Sequence, residues 1–417
     1  MNIIDELKWR GAINQTSDED GLRELTTKKS IGLYCGIDPT GDSMHIGHLI
    51  PFMILKRFQL AGHKPVIVIG GATGSIGDPS GKKSERVLQT MDQVHHNQEA
   101  LKGQMVKLFG EDQFRLVNNY DWLSKLSLLD FLRDYGKLFN VKTMLNKEVV
   151  ASRLEVGISF TEFTYQILQS IDYLTLYREQ DVQLQIGGGD QWGNITAGLD
   201  LIRRVEGPDT PVFALTIPLL LKSDGTKFGK SEGGNIWLNP DKTTPYEFYQ
   251  FWLNQEDSDV VKFLKYFTFL DEDEINDLAE QVKTEPWKRA AQRRLAEEVT
   301  KFVHGEAALE QAEKITQALF SGDVKALNAD EIEQGFKAFP SVETTSATQN
   351  IVDFLADSGI EKSRRQARED ITNGAITING DKQTDVETKI DPTAMFDGKF
   401  VIVRRGKKRY FLARVSD

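Results

Sequence analysis

Two short apolar runs near the start of the chain flank a segment with helical periodicity. The runs IGLYCGI (31–37) and PVIVIGG (65–71) are almost continuously apolar, which is typical of strands buried on both faces. Between them, LIPFMILKRFQLAGH (49–63) carries apolar residues at helical spacing and ends near Gly62. A helix between two such strands predicts a βαβ unit within a parallel sheet. Further strands are predicted over 182–186 and 215–221.

The pattern changes twice along the chain, which predicts an α/β protein of three domains. Residues 1–225 form the predicted parallel-sheet domain of the Rossmann-like type. Residues 226–323 begin with a lysine-containing loop and continue as charged segments of helical period, which indicates a small α-helical domain. Residues 324–346 lose periodicity and are interpreted as a linker. Residues 347–417 form an α+β domain with two short helices and two hairpins, which turn at Asn379-Gly380 and at Gly406.

Composition limits the class of protein. The chain has 417 residues, 40% of them hydrophobic, so sizeable cores can form. No apolar stretch reaches the roughly 18 residues of a membrane helix, and the N-terminus lacks the pattern of a secretory signal. Cys35 is the only cysteine, which excludes a disulfide framework and multi-cysteine metal sites. We therefore expect a cytoplasmic protein that does not interact with membranes.

The net charge of −11 argues against a nucleic-acid partner until its distribution is considered. Residues 347–417 hold 13 basic and 11 acidic residues, a balance of +2, so the rest of the chain carries −13. Five cations occupy the six positions 404–409, at the predicted tip of the second hairpin. A second basic segment, SRRQAR (363–368), opens a predicted helix. Clusters of this kind bind phosphate backbones, so this domain is predicted to bind RNA, although a solvated charge run is the alternative.

Five polar motifs follow predicted strands or occupy a neighbouring helix, where open α/β sheets bind their ligands. His45-Ile46-Gly47-His48 stands at a predicted helix start, which suits anions such as phosphates. Lys227-Phe228-Gly229-Lys230-Ser231 is a cationic loop able to meet developing phosphate charge. The others are the glycine-rich segment 70–78, the segment 185–194, and a polar stripe formed by Tyr165, Gln169 and Asp172 on one helix face.

Each motif also has a simpler interpretation. The two histidines could be ordinary helix-start residues or a metal pair, but no third ligand is nearby, so we expect no protein-bound metal. The lysine loop could be a solvated turn, and the polar stripe could face water. The occurrence of all five where open α/β sheets bind their ligands favours one common site.

Taken in order, these motifs are recognisable. YCGIDPT (34–40), HIGH and KFGKS resemble the class I aminoacyl-tRNA synthetases. Together with GGATGSIGDPSGKKSER (70–86), ISFTEFTYQILQSIDYL (158–174) and QIGGGDQWGNITAGL (185–199), they resemble the bacterial tyrosyl branch of that family along the whole chain. The resemblance implies a Rossmann-like catalytic domain and an ATP-dependent ligase that attaches L-tyrosine to its tRNA.

The resemblance also implies roles for individual residues. The phosphates of ATP would be bound and the reaction catalysed by Thr40, His45, His48, Lys82, Arg86, Lys227 and Lys230. The substrate tyrosine would be bound by Tyr34, Asp78, Asn119, Tyr165, Gln169, Asp172 and Gln185. The nucleotide and the adenylate would contact Cys35, Gly36, Asp38, Gly47, Gly188, Asp190, Gln191 and Lys230. The tRNA would contact Arg203, Arg204, Arg364, Arg365, Arg368, Arg404, Arg405, Lys407 and Lys408.

The family resemblance adds partners and leaves alternatives. Mg²⁺ is expected to bind through the phosphates of ATP, and members are homodimers joined through a segment that corresponds here to about 120–160. The nearest alternative is a tryptophanyl relative, against which the polar pair Tyr34 and Asp172 argues. A small nucleotidyltransferase with an HxGH motif and a non-catalytic RNA-binding homologue are further alternatives.

Overall fold

The chain folds into two compact units. The structure is a computed structural model and describes residues 1–80, 89–155, 157–223, 225–226, 228–231, 234–406 and 409–416. The first unit comprises Met1–Lys242 and Asn254–Val299, and the second comprises Thr243–Leu253 and Thr300–Asp417. The chain therefore crosses between the units three times, after Lys242, Leu253 and Val299. Among the described residues, no helix is both long enough and apolar enough to cross a bilayer.

The first unit is built on a six-stranded sheet in the order β1-β6-β5-β2-β3-β4. All neighbouring strands run parallel except the short β1, which is antiparallel to β6. The predicted parallel sheet is thereby confirmed. Its strands are β1 Gln15–Thr16, β2 Gly32–Ile37, β3 Lys64–Ile69, β4 Arg115–Asn118, β5 Val182–Gly188 and β6 Phe213–Ile217. The strand predicted over 215–221 instead ends before Pro218, which has no N–H to continue the ladder.

Helices cover the sheet and bury its apolar residues. Val66 and Val68 of β3 are almost fully buried, and they share one core with residues of α9 and α10. The helices before the lysine loop are α1 Ile3–Trp9, α2 Glu19–Lys28, α3 Ile46–Leu60, α4 Met91–Phe109, α5 Tyr120–Leu123, α6 Leu128–Asp130, α7 Val141–Leu145, α8 Glu148–Ala151, α9 Phe160–Gln180 and α10 Trp192–Glu206. The short hairpin β7 Lys230–Ser231 and β8 Gly234–Asn235 follows the sheet.

The charged segment after the sheet is helical, as predicted, but its helices belong to both units. Its helices are α11 Pro245–Leu253, α12 Asp257–Phe267, α13 Glu272–Thr284, α14 Ala290–His304 and α15 Glu306–Ser321. Of these, α12 and α13 lie in the first unit and α11 and α15 lie in the second. The predicted separate helical domain over 226–323 thus differs from the observed division.

The second unit contains a five-stranded sheet whose two faces are both covered. Val401, Val403 and Ala413 pack against one group of helices, whereas Ile402 and Leu412 pack against another. The elements are α16 Ala329–Phe336, β9 Ser341–Thr345, β10 Gln349–Asn350, α17 Ile351–Asp357, α18 Arg364–Thr372, β11 Ile376–Ile378, β12 Asp381–Gln383, β13 Lys389–Ile390, β14 Phe400–Arg405 and β15 Arg409–Ser416. The sheet order is β12-β11-β14-β15-β9, and α15 and α16 cover one face while α17 and α18 cover the other.

Local signals explain the turns of this unit and one prediction that was wrong. Asn379 and Gly380 both have positive φ, as a two-residue hairpin requires, and they join β11 to β12. Gly406 turns the second hairpin, β14–β15. The segment 324–346 is not a linker, because it contains α16 and the edge strand β9. Ile332 and Phe336, four residues apart, bury one face of α16 against the sheet.

Candidate active site

A cavity of about 410 Å³ opens at the carboxyl ends of β2 and β5. At β2 the strand order changes direction, since β3 lies on one side of it and β5 on the other. Such switch points are where open α/β sheets bind ligands. Most of the residues predicted to bind tyrosine or ATP line this cavity: Tyr34, Cys35, Gly36, Asp38, Thr40, His48, Asp78, Asn119, Tyr165, Gln169, Asp172, Gln185, Gly188, Asp190 and Gln191.

Asp172 is a buried carboxylate in the wall of the cavity. Asn119 Nδ2 donates to one of its oxygens at 3.0 Å, and Trp122 Nε1 donates to the other at 2.8 Å. Burial raises the pKa of Asp172 to about 7, although both hydrogen bonds act in the opposite direction. The side chain is therefore poised to change ionisation near neutral pH.

Tyr34 and Gln185 leave polar atoms without partners beside the same cavity. The Tyr34 side chain is 2% exposed and its ring packs against Tyr173 at 5.3 Å between centroids. Its hydroxyl and the Oε1 atom of Gln185 have no hydrogen-bond partner among the described residues. Burial, followed by the charge of Asp172, raises the pKa of Tyr34 well above its ordinary value. Because unpaired buried polar groups are costly, these atoms favour a ligand that brings a hydrogen-bonding group to this wall.

Asp38 joins the glycine-rich segment to helix α9. Its carboxylate accepts from Thr73 Oγ1 at 2.8 Å and from the Tyr165 hydroxyl at 2.9 Å. Burial, followed by the charge of Asp38, raises the pKa of Tyr165 well above its ordinary value, so the phenol stays protonated and donates. Gly70 is required here, since a Cβ at that position would lie 2.0 Å from Asp38 Oδ1.

Asp78 forms a second carboxylate cluster in the cavity. It accepts from Gln191 Nε2 at 2.7 Å, and Gln191 in turn accepts from Gln169 Nε2 at 3.4 Å. Asn194 lies 3.5 Å from the other Asp78 oxygen and 3.3 Å from Ser80 Oγ. Two carboxylates, Asp38 and Asp78, thus face one cavity, which suits a cationic group such as an ammonium.

The two histidines of HIGH cap helix α3. His45 Nδ1 accepts from the Gly47 N–H at 3.0 Å, and His48 Nδ1 accepts from the His45 N–H at 3.3 Å. The rings stack with 3.8 Å between centroids. Because each Nδ1 accepts a hydrogen bond, each neutral ring carries its proton on Nε2, where it can donate to an anion. Gly47 is required, since a Cβ there would lie 2.8 Å from the His45 ring.

The chain after the lysine loop pairs with the HIGH segment. Ile46 N–H donates to the Ile236 carbonyl at 3.0 Å, and Leu238 N–H donates to the Met44 carbonyl at 2.8 Å. Phe228, between the two lysines of the loop, is buried against Phe263 and Phe267 of α12. These contacts place the loop beside HIGH. Lys82, Arg86, Lys227 and the side chain of Lys230 lie outside the described residues.

The predicted RNA-binding cations fall into different environments. Arg365 and Arg368 are exposed on α18. Arg364 instead forms ion pairs with Asp353 and Asp357 of α17, at 2.7 and 2.9 Å. Arg404 lies over the Tyr410 ring, and Arg405 forms ion pairs with Glu361 and Asp370. Lys407 and Lys408 lie outside the described residues.

Arg203 and Arg204 contact carbonyls of the first unit. Arg203 Nη2 donates to the Val212 carbonyl at 3.3 Å, and Arg204 Nη1 donates to the Leu138 carbonyl at 2.5 Å. A role for either in tRNA binding stays a prediction.

Sequence reasoning missed four polar side chains that bind site carboxylates or their partners. Thr73, Ser80 and Asn194 stand inside or beside motifs already recognised, so their proximity to those motifs was the available signal. Trp122 belongs to the segment after β4, which carries no motif. Only the fold brings its indole N–H to Asp172.

Two family models together match most of the chain. The model described as tRNA synthetases class I (W and Y) matches residues 26–321. The model described as the tyrosine–tRNA ligase SYY-like C-terminal domain matches residues 331–413.

Curated relatives and a solved structure agree with these matches. The tyrosine–tRNA ligase of Pediococcus pentosaceus is 77% identical over 417 residues, and the alignment covers all of both chains. That of Limosilactobacillus reuteri is 72% identical over 416 residues, again with full coverage. A C-terminally truncated mitochondrial tyrosyl-tRNA synthetase of Aspergillus nidulans superposes with a TM-score of 0.70 at 32% identity. That superposition covers 76% of this chain and 94% of the other.

Proposed function

Because the chain belongs to the class I tRNA synthetases of the tryptophanyl and tyrosyl type, we propose that it is a tyrosine–tRNA ligase. It activates L-tyrosine with ATP and transfers the tyrosyl group to the terminal ribose of its tRNA. The observation that carries the choice of amino acid is the unpaired Tyr34 hydroxyl beside the buried carboxylate of Asp172. A phenol hydroxyl can donate to Asp172 and accept from Tyr34. An indole N–H can only donate, so it leaves the Tyr34 hydroxyl unpaired.

The remaining groups of the amino acid have complementary partners. We assign its ammonium to Asp78, Tyr165 and Gln169, whose side chains line the cavity in one polar cluster. Asn119 and Gln185 line the same part of the cavity. We assign the nucleotide and the adenylate to Cys35, Gly36, Asp38, Gly188, Asp190 and Gln191, which line the cavity, and to Gly47 at the start of helix α3.

The first chemical step needs no protein nucleophile. A carboxylate oxygen of tyrosine attacks the α-phosphorus of ATP, and the bond from that phosphorus to the bridging oxygen of pyrophosphate breaks. Catalysis then consists of positioning and of stabilising charge on the phosphates. The Nε2–H groups of His45 and His48 and the hydroxyl of Thr40 are suitable donors. Lys82, Arg86, Lys227 and Lys230 are assigned to the leaving pyrophosphate.

Mg²⁺ supplies further neutralisation of the ATP phosphates. Among the described residues, no group of three metal-ligating side chains is present. Mg²⁺ usually keeps several water ligands and binds through substrate phosphates, so we assign the ion to the phosphates of ATP.

In the second step a ribose hydroxyl of the tRNA attacks the activated carbonyl, and AMP leaves. The acceptor end is assigned to Arg203 and Arg204 of the first unit. The C-terminal sheet and its helices are assigned to the body of the tRNA. Of the predicted cations, Arg365, Arg368, Arg404, Lys407 and Lys408 are assigned as its contacts, whereas Arg364 and Arg405 form ion pairs within the unit.

A homodimer is proposed through the segment 120–160. Its described part exposes large apolar side chains, including Leu128 at 72%, Leu129 at 75% and Phe160 at 72%. Exposed apolar clusters of this kind mark protein interfaces. The exposed apolar side chains of the segment are Tyr120, Leu128, Leu129, Leu132, Val141, Leu154 and Phe160.

We place the enzyme in the cytoplasm, where its tRNA substrate is used. The single cysteine, Cys35, is buried, and burial raises its pKa to about 12, so it stays a thiol.

Exchange of pyrophosphate into ATP, measured with each amino acid separately, tests the assignment. We expect exchange with tyrosine and none above background with tryptophan or phenylalanine. Equal exchange with tryptophan would support the tryptophanyl alternative, and exchange that requires a phosphate-bearing acceptor in place of an amino acid would support a small nucleotidyltransferase. The absence of exchange with all amino acids, combined with tRNA binding, would identify a non-catalytic RNA-binding homologue.

A further inference from the structure

The last arginine of strand β14 is held by two carboxylates. Arg405 Nε lies 3.0 Å from Glu361 Oε1, and Arg405 Nη2 lies 2.7 Å from Asp370 Oδ2. The Glu361 side chain is fully buried, and Gln366 donates to the other Asp370 oxygen at 3.0 Å. We call Arg405, Glu361 and Asp370 the arginine bridge. It ties the end of β14 to α18 and to the loop before that helix.

The arginine bridge carries no surplus positive charge. Two carboxylates face one guanidinium. Burial, followed by the proximity of Asp370, raises the pKa of Glu361 to about 7. The charges of the two carboxylates therefore offset that of the Arg405 guanidinium. A phosphate would find little net attraction there.

Three other arginines in this part of the unit are placed differently. Arg409 stands directly opposite Arg405 across the hairpin and is exposed. Arg365 and Arg368 are exposed on α18, the helix that carries Asp370. Within the described part of the chain, none of these three forms an ion pair. The arginine bridge lies between the two segments that present them.

We propose that Arg405 is a positioning residue for tRNA binding rather than a phosphate contact. The arginine bridge fixes the end of β14 against α18, so that Arg365, Arg368 and Arg409 form one phosphate-binding surface. The Gly406 N–H, which donates to the Ala375 carbonyl at 2.8 Å, supports the same arrangement from the turn. This inference rests on the proposed function, and it replaces the direct contact expected for Arg405 from the sequence.

Two substitutions of Glu361 distinguish a positioning role of the arginine bridge from a purely electrostatic effect on tRNA binding. Glu361→Met and Glu361→Gln remove the same negative charge from beside an RNA-binding surface. If charge alone matters, both strengthen tRNA binding or leave it unchanged. Glu361→Met removes the acceptor for Arg405, whereas the amide of Glu361→Gln accepts from Arg405 and donates to Asp370. We therefore expect Glu361→Met to weaken tRNA binding about tenfold and Glu361→Gln to stay within about twofold of wild type.

The measurement is the Kd of the full-length protein for tyrosine tRNA at several salt concentrations. Glu369→Gln is the matched control. Glu369 is an exposed acid on helix α18, which carries Arg365 and Arg368, and removing its charge should not weaken tRNA binding. Arg409→Gln should reduce the salt slope by about 0.9, as expected for one lost phosphate contact. Equal or tighter binding by Glu361→Met would overturn the proposal.

A second variant keeps the test decisive if Glu361→Met unfolds, which thermal unfolding would reveal. Arg405→Lys keeps the charge, but a single ammonium cannot reproduce the forked contact to both carboxylates. We expect it to weaken binding with an unchanged salt slope, and wild-type binding by this variant would overturn the proposal. If wild-type protein binds no tyrosine tRNA, the proposed function fails and this proposal fails with it. If wild type binds but all variants match it, only the positioning role is refuted.

Discussion

Replacing Asp172 with asparagine should stabilise the first unit at alkaline pH while impairing the site. Burial raises the pKa of Asp172 from its ordinary 3.8 to about 7. In the unfolded chain the carboxyl loses its proton near pH 4, whereas the folded protein keeps the proton until about pH 7. Folding stability therefore falls as pH rises from about 4 and levels off above pH 7.

The size of this pH-dependent loss of folding stability follows from the difference between the pKa of Asp172 in the folded and in the unfolded protein. Each pKa unit corresponds to 1.36 kcal/mol, so the full loss is about 4 kcal/mol, of which about 3 kcal/mol falls between pH 5 and pH 8. Asparagine cannot ionise, so the Asp172→Asn variant lacks this dependence. Its free energy of unfolding relative to wild type should accordingly increase by about 3 kcal/mol between pH 5 and pH 8. A constant offset is also expected, because the new amide presents N–H groups to one of the donors Asn119 and Trp122.

The free energy of unfolding of wild type and variant is measured by urea denaturation at pH 5, 6, 7 and 8. Hydrogen exchange in peptides of helix α9 is the readout, because Asp172 lies on that helix. Asp200→Asn, at an exposed position of α10, is the control and should show no such trend. The same Asp172→Asn protein should lose most tyrosine-dependent exchange. A stability difference that varies by less than about 1 kcal/mol over this pH range would refute the assignment of a buried, ionising Asp172.

Three further substitutions test other parts of the site. Tyr34→Phe removes a buried, unpaired hydroxyl, so the ligand-free protein should gain about 1 kcal/mol by thermal unfolding, while the KM for tyrosine rises and discrimination against phenylalanine falls. His45→Ala should cost about 1 kcal/mol in stability through the lost helix cap, and should lower the exchange rate about 100-fold with unchanged tyrosine binding in equilibrium dialysis. Gly70→Ala should abolish exchange, because its Cβ would lie 2.0 Å from Asp38 Oδ1; wild-type activity would show that this contact relaxes freely.

The catalytic sheet was predictable because its strands are buried on both faces. The runs ending in Ile37 and Ile69 are apolar without interruption, and they form adjacent parallel strands as predicted. That the motifs meet at one cavity was predictable as well, since the ends of those strands lie together by topology. Within this sheet the strand predicted over 215–221 was wrong at its end, because Pro218 follows β6, and the strands β1 and β4 were not predicted.

Interactions between distant segments could not be predicted from the pattern. Trp122 reaches Asp172 across 50 positions of the chain. The acidic residues that pair with Arg364 and Arg405 have no local sequence feature that distinguishes them from acidic residues exposed to solvent. The sequence therefore predicts that every cation of the basic clusters can bind RNA. The residues of the edge strand β9 show little apolar periodicity, because the strand is paired on one side only. Their pattern therefore indicates a linker and not a strand.

The three crossings of the chain between the two units have a consequence for synthesis and for protein engineering. All six strands of the catalytic sheet have been made once residue 217 is reached, but that unit still lacks α12 and α13, which follow Leu253. Helix α11, the first part of the second unit to be synthesised, therefore has no packing partners from its own unit until the ribosome has completed the first unit and continued past residue 300. For the same reason no single cut releases either unit whole, and a graft of the C-terminal unit that omits α11 leaves part of it behind.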